Sequence, residues 1–555
     1  MNKHKRKILA ISERVESKTG FSKYYKEILS RLHATDKFEI ADLSCYSIID
    51  DPNLFSIPWK LYCNTVSPQD PRFKEYQSSP ENIWGRWRFD KTLLDFRPDI
   101  TLSCRDLWFD SYILKSPLRR FFHFAYMPTT DSSPVRPEWI EDIIEADAIF
   151  AYNDWALEIM REESGGKANI IKSAPPGIDP TIFFPAPNKI EQKKKMMLKP
   201  DIYLIGMFSR NQKRKLFPDL FIGFEKFLNL CYEKGNKELA QKTNLFIHTS
   251  YPDAGWNIPL LLKERNISHK VLFSYICRNC KKWFPAYYSD AKTICPFCDG
   301  VAVMPNVELG VDENQLAEIY RCLDLYSHLA IAGGFEMCIV EAAGCGVPCM
   351  ASENTSMIDV IKKVNGLPLK LAHTFRELET GAYRHYTDID YMVQKWYQFF
   401  TVPNEYRKVQ EELARQGVLD NYTWDKTAKI WEDYLENCEL KGLQGKWNSP
   451  PEFIQPRIRT DFNELSNKDF VRYLILDILQ RPSELYKLRT LHLLSVLNYG
   501  AEVDGRKIRQ IKREEIHNAY INMVKNHNYC EEIRCGLRPL PREDFIEYAN
   551  MRMDS

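Results

Sequence analysis

Short apolar runs alternate with segments of helical period twice along this chain, on either side of a Pro- and Lys-rich break from Pro185 to Pro200. Lys7 to Ser12 is the first run. It ends in a polar loop, Glu13 to Gly20, after which Phe21, Tyr24, Tyr25, Ile28, Leu29 and Leu32 recur on one face of a helix. A strand that feeds a helix takes its next strand in parallel, because a crossover and not a hairpin joins them. Repetition of that unit predicts a parallel, doubly wound sheet with helices on both faces. Phe38 to Ala41, Ile100 to Ser103, Phe121 to Tyr126 and Ala148 to Tyr152 are further strand candidates. Asn53 to Pro80, rich in Pro, Ser and aromatics without a period, reads as an elaborated loop.

Beyond the break, Ile202 to Met207, Asn244 to His248, Val271 to Tyr275 and Val347 to Ala351 read as strands. Leu220 to Leu230, Gln315 to Leu329 and Met337 to Gly344 read as helices. The expected architecture is an α/β protein of two Rossmann-like lobes, 1–185 and 186–437, with ligand in the cleft at the carboxyl ends of the strands. From about residue 440 the pattern changes. Gly442, Gly445, Pro450, Pro451 and Pro456 mark a linker, and Leu474, Ile475, Ile478 and Leu479, then Ile508 to Met523, predict an α-helical extension over 440–555. A packing or oligomerising role is its simplest reading, and a homo-oligomer through these helices is one outcome.

Lys and Arg number 76 against 75 Asp and Glu, a net charge of +1. No global field steers such a chain onto nucleic acid or anionic lipid, so any polyanion site must be local. No apolar run reaches the roughly 18 residues of a membrane-spanning helix. The basic start, Met1 to Lys7, is followed only by Ile8-Leu9-Ala10-Ile11, too short for a signal-peptide core. Most of the 15 cysteines stand isolated among apolar residues, which points to a reducing cytoplasm.

The exception is Cys277-x2-Cys280 followed by Cys295-x2-Cys298, two knuckles with the spacing of a four-thiolate structural zinc site. Four thiolates leave the metal no open position, so the expected ribbon, 271–304 within the second lobe, staples and does not catalyse. Trp283, Phe284, Tyr287 and Tyr288 supply its apolar body, with stacking on bases or sugars as the alternative use. The basic run Ser209 to Lys215 directly follows a strand, where Arg forks and Lys charges suit a pyrophosphate. A glycine pair, Gly333-Gly334, precedes the helix at Met337 and lets backbone amides approach a phosphate or sugar, while Glu341 farther along can accept from hydroxyls. Asp131 can make an Asx turn before Pro134. His123 reads as a packed strand residue, and Asp253 and Trp256 as cleft residues without an assigned role.

Together these blocks resemble the retaining, nucleotide-sugar-dependent glycosyltransferases of family 4, which have the GT-B fold. Lys18-Thr19-Gly20-Phe21-Ser22 resembles the family's glycine loop beneath the transferred sugar, and Pro176-Gly177-Ile178-Asp179 with Phe183 and Pro185 its interlobe GVDxxxFxP signature. Arg210 and Lys215 are spaced like the pair that holds the donor diphosphate. Gly333 to Pro348 resembles the EGFGxxxxEAxAxGxP segment, and Thr423-Trp424 with Ala428 and Trp431 the closing helix. The resemblance makes 1–185 the acceptor lobe and 186–437 the nucleotide-sugar donor lobe. It assigns Gly20, Phe21, Gly333, Gly334, Phe335, Met337 and Glu341 to donor binding, the last to the ribose hydroxyls, and Asp131 to the acceptor side. The chain departs from the pattern where the family has its sugar-contacting Glu, which is Gly333 here, and where the family has a second glycine, which is Glu336 here. Arg210, Lys215 and Glu336 are therefore the expected catalytic set; either Glu336 stands in from a neighbouring position, or the donor sugar differs, or activity is lost. The resemblance implies transfer from a nucleotide-diphosphate sugar to an acceptor hydroxyl with retention, zinc apart without metal because no DxD pattern stands at the cleft. A modified DNA base, a surface glycan or a protein are acceptor options, with charge balance against DNA. The alternative is a catalytically degenerate scaffold acting through the ribbon and the tail.

Overall fold

Ile8 to Ile11 are wholly buried because their strand, β1 (Arg6–Ser12), has a parallel neighbour on each edge and helices on both faces. The computed structural model describes residues 5–440 except 16, 18, 49–55, 117, 290–291 and 307–308. It also describes 454–534 except 481–484, 486–487, 504–505 and 509–511. Lys18 of the glycine loop and the linker residues 441–453 lie outside the described residues.

The first sheet continues with β2 (Phe38–Ser44), β3 (Lys60–Cys63), β4 (Ile100–Ser103), β5 (His123–Tyr126), β6 (Ala148–Ala151) and β7 (Ile170–Ser173). Its order is β3-β2-β1-β4-β5-β6-β7, parallel throughout, so the chain reverses its direction of growth between β1 and β4. The second sheet comprises β8 (Tyr203–Phe208), β9 (Thr243–His248), β10 (Val271–Cys277), β11 (Trp283–Tyr287), β12 (Ala302–Val303), β13 (Leu325–His328), β14 (Cys349–Ser352) and β15 (Leu367–Leu369). Its order is β11-β10-β9-β8-β13-β14-β15, with β12 also on β10. The switch point lies between β8 and β13. The ribbon strands β11 and β12 run antiparallel to β10, so the insertion grows out of a sheet edge.

Two readings of the sequence are corrected. The segment 53–80 is not only loop: it holds β3 and a short helix, Phe73–Tyr76. β3 is a half-exposed edge strand and so has no clear apolar pattern to announce it. The helix expected from Gln315 to Leu329 is Glu313–Tyr320, after which the chain enters β13. All four residues of β13 are buried in mid-sheet, and a strand buried on both faces has no alternation to separate it from a helix.

After β15 a hairpin, β16 (Leu371–Arg376) and β17 (Tyr383–Thr387), precedes three helices. The last, Trp424–Asn437, returns to the first lobe: Trp424, Ala428, Trp431 and Leu435 pack with Ile8, Tyr24 and Ile28, and Trp431 Nε1 donates to Tyr24 Oη at 2.7 Å. Ile178 N donates to Tyr422 O at 2.9 Å, and a Cβ on Gly177 would lie 2.4 Å from the Thr423 carbonyl carbon. Only glycine lets these two strands of chain approach so closely. In the C-terminal extension Phe470, Tyr473, Leu474, Ile478 and Val524 form a separate small core. There, Ile508 ends β19 (Arg506–Ile508), paired with β18 (Ala501–Val503), and the helix expected from it runs Arg513–Arg534. Among the described residues no helix is long and apolar enough to cross a membrane.

Candidate functional site

The carboxyl ends of both sheets face one interlobe cleft, and side chains tie its walls together. Asn153, the N-cap of the helix after β6, donates through Nδ2 to Gly334 O at 2.8 Å. Lys23, one turn into the helix Gly20–Ala34, reaches Glu341 Oε1 at 3.2 Å and Glu313 Oε1 at 2.6 Å. Tyr320 Oη donates to the other Glu341 oxygen at 3.1 Å. Glu341 is thus oriented from both lobes. A Cβ on Gly334 would sit 2.3 Å from Thr129 Cγ2, so glycine is what permits this second-lobe backbone to press against the first-lobe loop.

Where the second lobe meets the first stands a buried charge network. Glu336 Oε1 lies 2.6 Å from Lys215 Nζ and 2.9 Å from Arg214 Nη1, and Glu336 Oε2 lies 3.2 Å from His328 Nε2. Burial pushes the Glu336 carboxyl up, but Lys215, Arg214 and His328 more than reverse this and hold it well below the usual carboxylate range. Burial lowers Lys215 against the pull of Glu336, and burial with Lys215 lowers His328. A Cβ built on Gly333 would lie 2.2 Å from Glu336 Oε1. The Glu336 side chain therefore fills the space into which a side chain at 333 would project.

Arg210 stands apart from this network. Its guanidinium makes a two-pronged contact with Asp253, Nε to Oδ2 at 2.8 Å and Nη2 to Oδ1 at 3.1 Å, and remains 56% exposed. Hydrogen bonding to Arg210 holds Asp253 well below its ordinary value. At the ends of β8 and β9, Ser209 Oγ and Thr249 Oγ1 are buried without a hydrogen-bond partner. Gly20 opens its helix with free space around it, capped by Thr19. Phe21, Phe335 and Met337 pack against the hydrophobic core that joins the closing helix to the first lobe, so their contacts are with protein.

On the first lobe, Asp131 lies beside Arg384 of β17, whose Nη1 donates to Asp131 O at 2.8 Å. The loop after β4 places Asp106 near it. Burial first, and then the Asp131 charge, push the Asp106 carboxyl up to about 7. Sequence reasoning missed Asp106, although its place just past a strand end is the signal that marks ligand sites in such sheets. It also missed Lys23, Arg214 and His328; the last sits on the strand misread as helix.

The four cysteines converge. Cys277 and Cys298 sulfurs are 3.4 Å apart, Cys280 and Cys295 3.7 Å, and all four lie within 4.8 Å of one another. A tetrahedron of sulfurs 2.3 Å from zinc has edges of about 3.8 Å, so the donor set fits that ion. Backbone N–H groups of Asn279 and Phe297 point at Cys277 and Cys295 sulfurs at 3.4 Å, as thiolates require. His328, Glu336 and Cys338 also cluster, but Lys215 already occupies that carboxylate.

No protein-family model matches the chain, and no curated protein matches it by sequence. Solved structures do. A sucrose-phosphate synthase from Thermosynechococcus elongatus aligns with TM-score 0.57 at 14% identity over 78% of this chain and 98% of its own. HepE from Anabaena, solved with UDP and glucose, aligns at 0.52 and 12% identity over 78% and 99%. A glycosyltransferase from Rickettsia africae aligns at 0.52 and 12% over 79% and 100%. At such identities the likeness speaks for architecture: the chain has the GT-B fold of these glycosyltransferases, two doubly wound α/β lobes facing across a cleft.

Proposed function

We propose that the protein is a retaining glycosyltransferase of the family 4 type that moves a sugar from a nucleotide-diphosphate sugar to an acceptor hydroxyl. The observation that carries this reading is the Glu336 carboxylate, which occupies the side-chain space of Gly333 while bound by Lys215 and Arg214. The departure of the sequence from the family pattern is then a transposition of one carboxylate by three positions, not its loss. HepE, solved with UDP and glucose on the same fold, supports a nucleotide sugar as donor.

In this reading 1–185 is the acceptor lobe and 186–437 the donor lobe, with the helix from Trp424 strapping one to the other. Glu341, held by Lys23 and Tyr320, takes the ribose hydroxyls, and the Gly333-Gly334 backbone and Glu336 take the sugar. Arg210 and Lys215 hold the diphosphate. The bond from the anomeric carbon to the phosphate oxygen breaks with its electron pair passing to the diphosphate, where these cations offset the growing charge. The acceptor oxygen bonds to the anomeric carbon on the same face, and its proton passes to the departing phosphate oxygen. Asp106 and Asp131 orient the acceptor. Zinc held by Cys277, Cys280, Cys295 and Cys298 supplies structure only. The free thiols of the described cysteines support a reducing, cytoplasmic setting.

The test is to incubate the full chain with UDP-, GDP- and ADP-sugars and follow release of the nucleoside diphosphate. Turnover that falls by about a hundredfold in Arg210→Ala is expected. Nucleotide retained without turnover of any donor would instead favour the non-catalytic scaffold, and neither binding nor turnover would refute the donor site.

A further inference from the structure

The ribbon and the basic loop at the end of β8 are far apart in sequence but are joined through a third segment, Thr249 to Asn257. This segment is zipped to the basic loop. Asp253 takes the Arg210 guanidinium in two hydrogen bonds, and Ser250 Oγ donates to the same carboxylate. Asn211 and Trp256 exchange a reciprocal pair, Trp256 N to Asn211 Oδ1 and Asn211 Nδ2 to Trp256 O, both at 2.8 Å. Trp256 Nε1 donates to Lys215 O at 2.7 Å. A Cβ on Gly255 would lie 2.3 Å from Asn211 Oδ1, so the two segments touch without space for a side chain.

The ribbon holds the other side of this segment. It leaves the sheet at Cys277, the last residue of β10, and returns through β12, which pairs Ala302 with Cys277 and Val303 with Ile276. Two residues later Pro305 O accepts from Tyr251 N at 3.2 Å. Tyr251 and Trp256 pack against the same core that contains Cys277, Phe284, Cys295 and Met304. Without a metal, the two knuckles keep only the β12 pairing, a few backbone hydrogen bonds and apolar packing, and the return strand loses one of its anchors.

We propose that the Cys277/Cys280/Cys295/Cys298 ribbon is a positioning element of the donor site: a bound zinc ion fixes the Pro305 end of the ribbon, Pro305 fixes the Thr249–Asn257 segment, and that segment aims Arg210 and the Lys215 backbone at a nucleoside diphosphate. Tyr251 and Asp253 are positioning residues, acting through Arg210. The inference rests on the donor reading above, and it makes nucleotide affinity depend on a metal that does not take part in the chemistry.

The full chain is assayed zinc-loaded, stripped with 1,10-phenanthroline, and reloaded, with UDP, GDP and ADP titrated calorimetrically and amide exchange followed in parallel. Stripping is expected to weaken the nucleotide that binds by about tenfold, a common size for coupling between sites. Reloading restores it, and exchange rises in 249–257 and 278–305 but not in β1 to β7. In Asp253→Ala, where the segment no longer holds the Arg210 guanidinium, stripping should change nucleotide affinity little. Cys298→Ser, which removes the exposed ligand without a chelator, should reproduce the stripped state. Equal affinity with and without zinc overturns the proposal, as does a loss accompanied by faster exchange in β1 to β7, which marks general unfolding. If the loaded chain binds none of the nucleotides, the donor reading itself falls, an outcome visible before any metal is removed.

Discussion

If one carboxylate has been transposed from position 333 to position 336, moving it back should be tolerated, and moving it halfway should not. Gly333 has no left-handed backbone requirement, so only its neighbour forbids a side chain there. A Cβ would stand 2.2 Å from Glu336 Oε1, 3.0 Å from Cδ and 3.2 Å from Cγ, where real Cβ contacts stop at 3.0 Å. The whole Glu336 side chain must therefore shift in Gly333→Glu, and two carboxylates then compete for Lys215. In Glu336→Gly the opposite happens: Lys215, whose side chain is 3% exposed, loses the partner 2.6 Å from its ammonium. Removal of one member of a buried pair costs about 3–5 kcal/mol. Three of these correspond to about 6–12 °C in the melting of a lobe of this size. Each single variant should show that loss and should bind donor poorly. The double variant Gly333→Glu/Glu336→Gly, which again delivers one carboxylate to the same space, should recover most of it. The assay is thermal melting with and without UDP, arranged as a double-mutant cycle. A double variant no more stable than the worse single would refute the idea that the two positions serve one site.

Asp106, held at about 7 by burial and by Asp131, should give kcat/KM a limb that rises with pH through that value. Asp131→Asn should move the limb toward acid, and Asp106→Asn should abolish it. The same group affects stability with the opposite sign: an unfolded Asp ionises near 3.9, so between there and about 7 the folded chain holds the extra proton and loses this stabilisation as pH rises. Trp431→Ala removes a fully buried indole and its hydrogen bond to Tyr24, and should destabilise the first lobe by about 3–5 kcal/mol, read from thermal melts. Trp431→Phe keeps most of the packing and should lose far less.

The strands that the sequence revealed best are those flanked by punctuation. β1 and β4 each end in a polar loop, and β8 and β9 are followed by Ser209 to Lys215 and Thr249 to Asn257. β13 escaped because Leu325 to His328 are buried on every side and the preceding helix runs into them with no break a periodicity can register. That single misreading concealed His328, since a residue assigned to a helix is not sought at the end of a strand. The charge network escaped for a different reason. Arg214 lies between the two expected cations, and adjacent residues in a loop point in different directions; nothing in spacing indicates that 214, with 215, meets Glu336 while 210 turns to Asp253. The four cysteines were legible because their chemistry imposes the spacing directly, through two knuckles on one ion.

The four cations described at the site each have a carboxylate partner: Arg210 has Asp253, Arg214 and Lys215 share Glu336, and Lys23 has Glu313 and Glu341. The site is therefore balanced locally as the chain is balanced globally at +1. In the proposed reading, a diphosphate arriving here meets no strongly positive funnel and has to bind by exchanging partners. That exchange is unequal. Arg210 is 56% exposed, and its ion pair with Asp253 is screened by water, so little is lost when the guanidinium turns to phosphate. Lys215 is buried with Glu336 at 2.6 Å, where effective dielectric is low and a broken contact is costly. The diphosphate is then best received by Arg210 leaving Asp253 while Lys215 keeps Glu336 and adds the phosphate as a further acceptor. This ordering matches the contacts: the Arg210 side chain is held by the Thr249–Asn257 segment through Asp253, and the Lys215 side chain by Glu336. It also explains how a carboxylate next to the phosphate site is tolerated, because its charge is already spent on Lys215 and Arg214 before the donor enters.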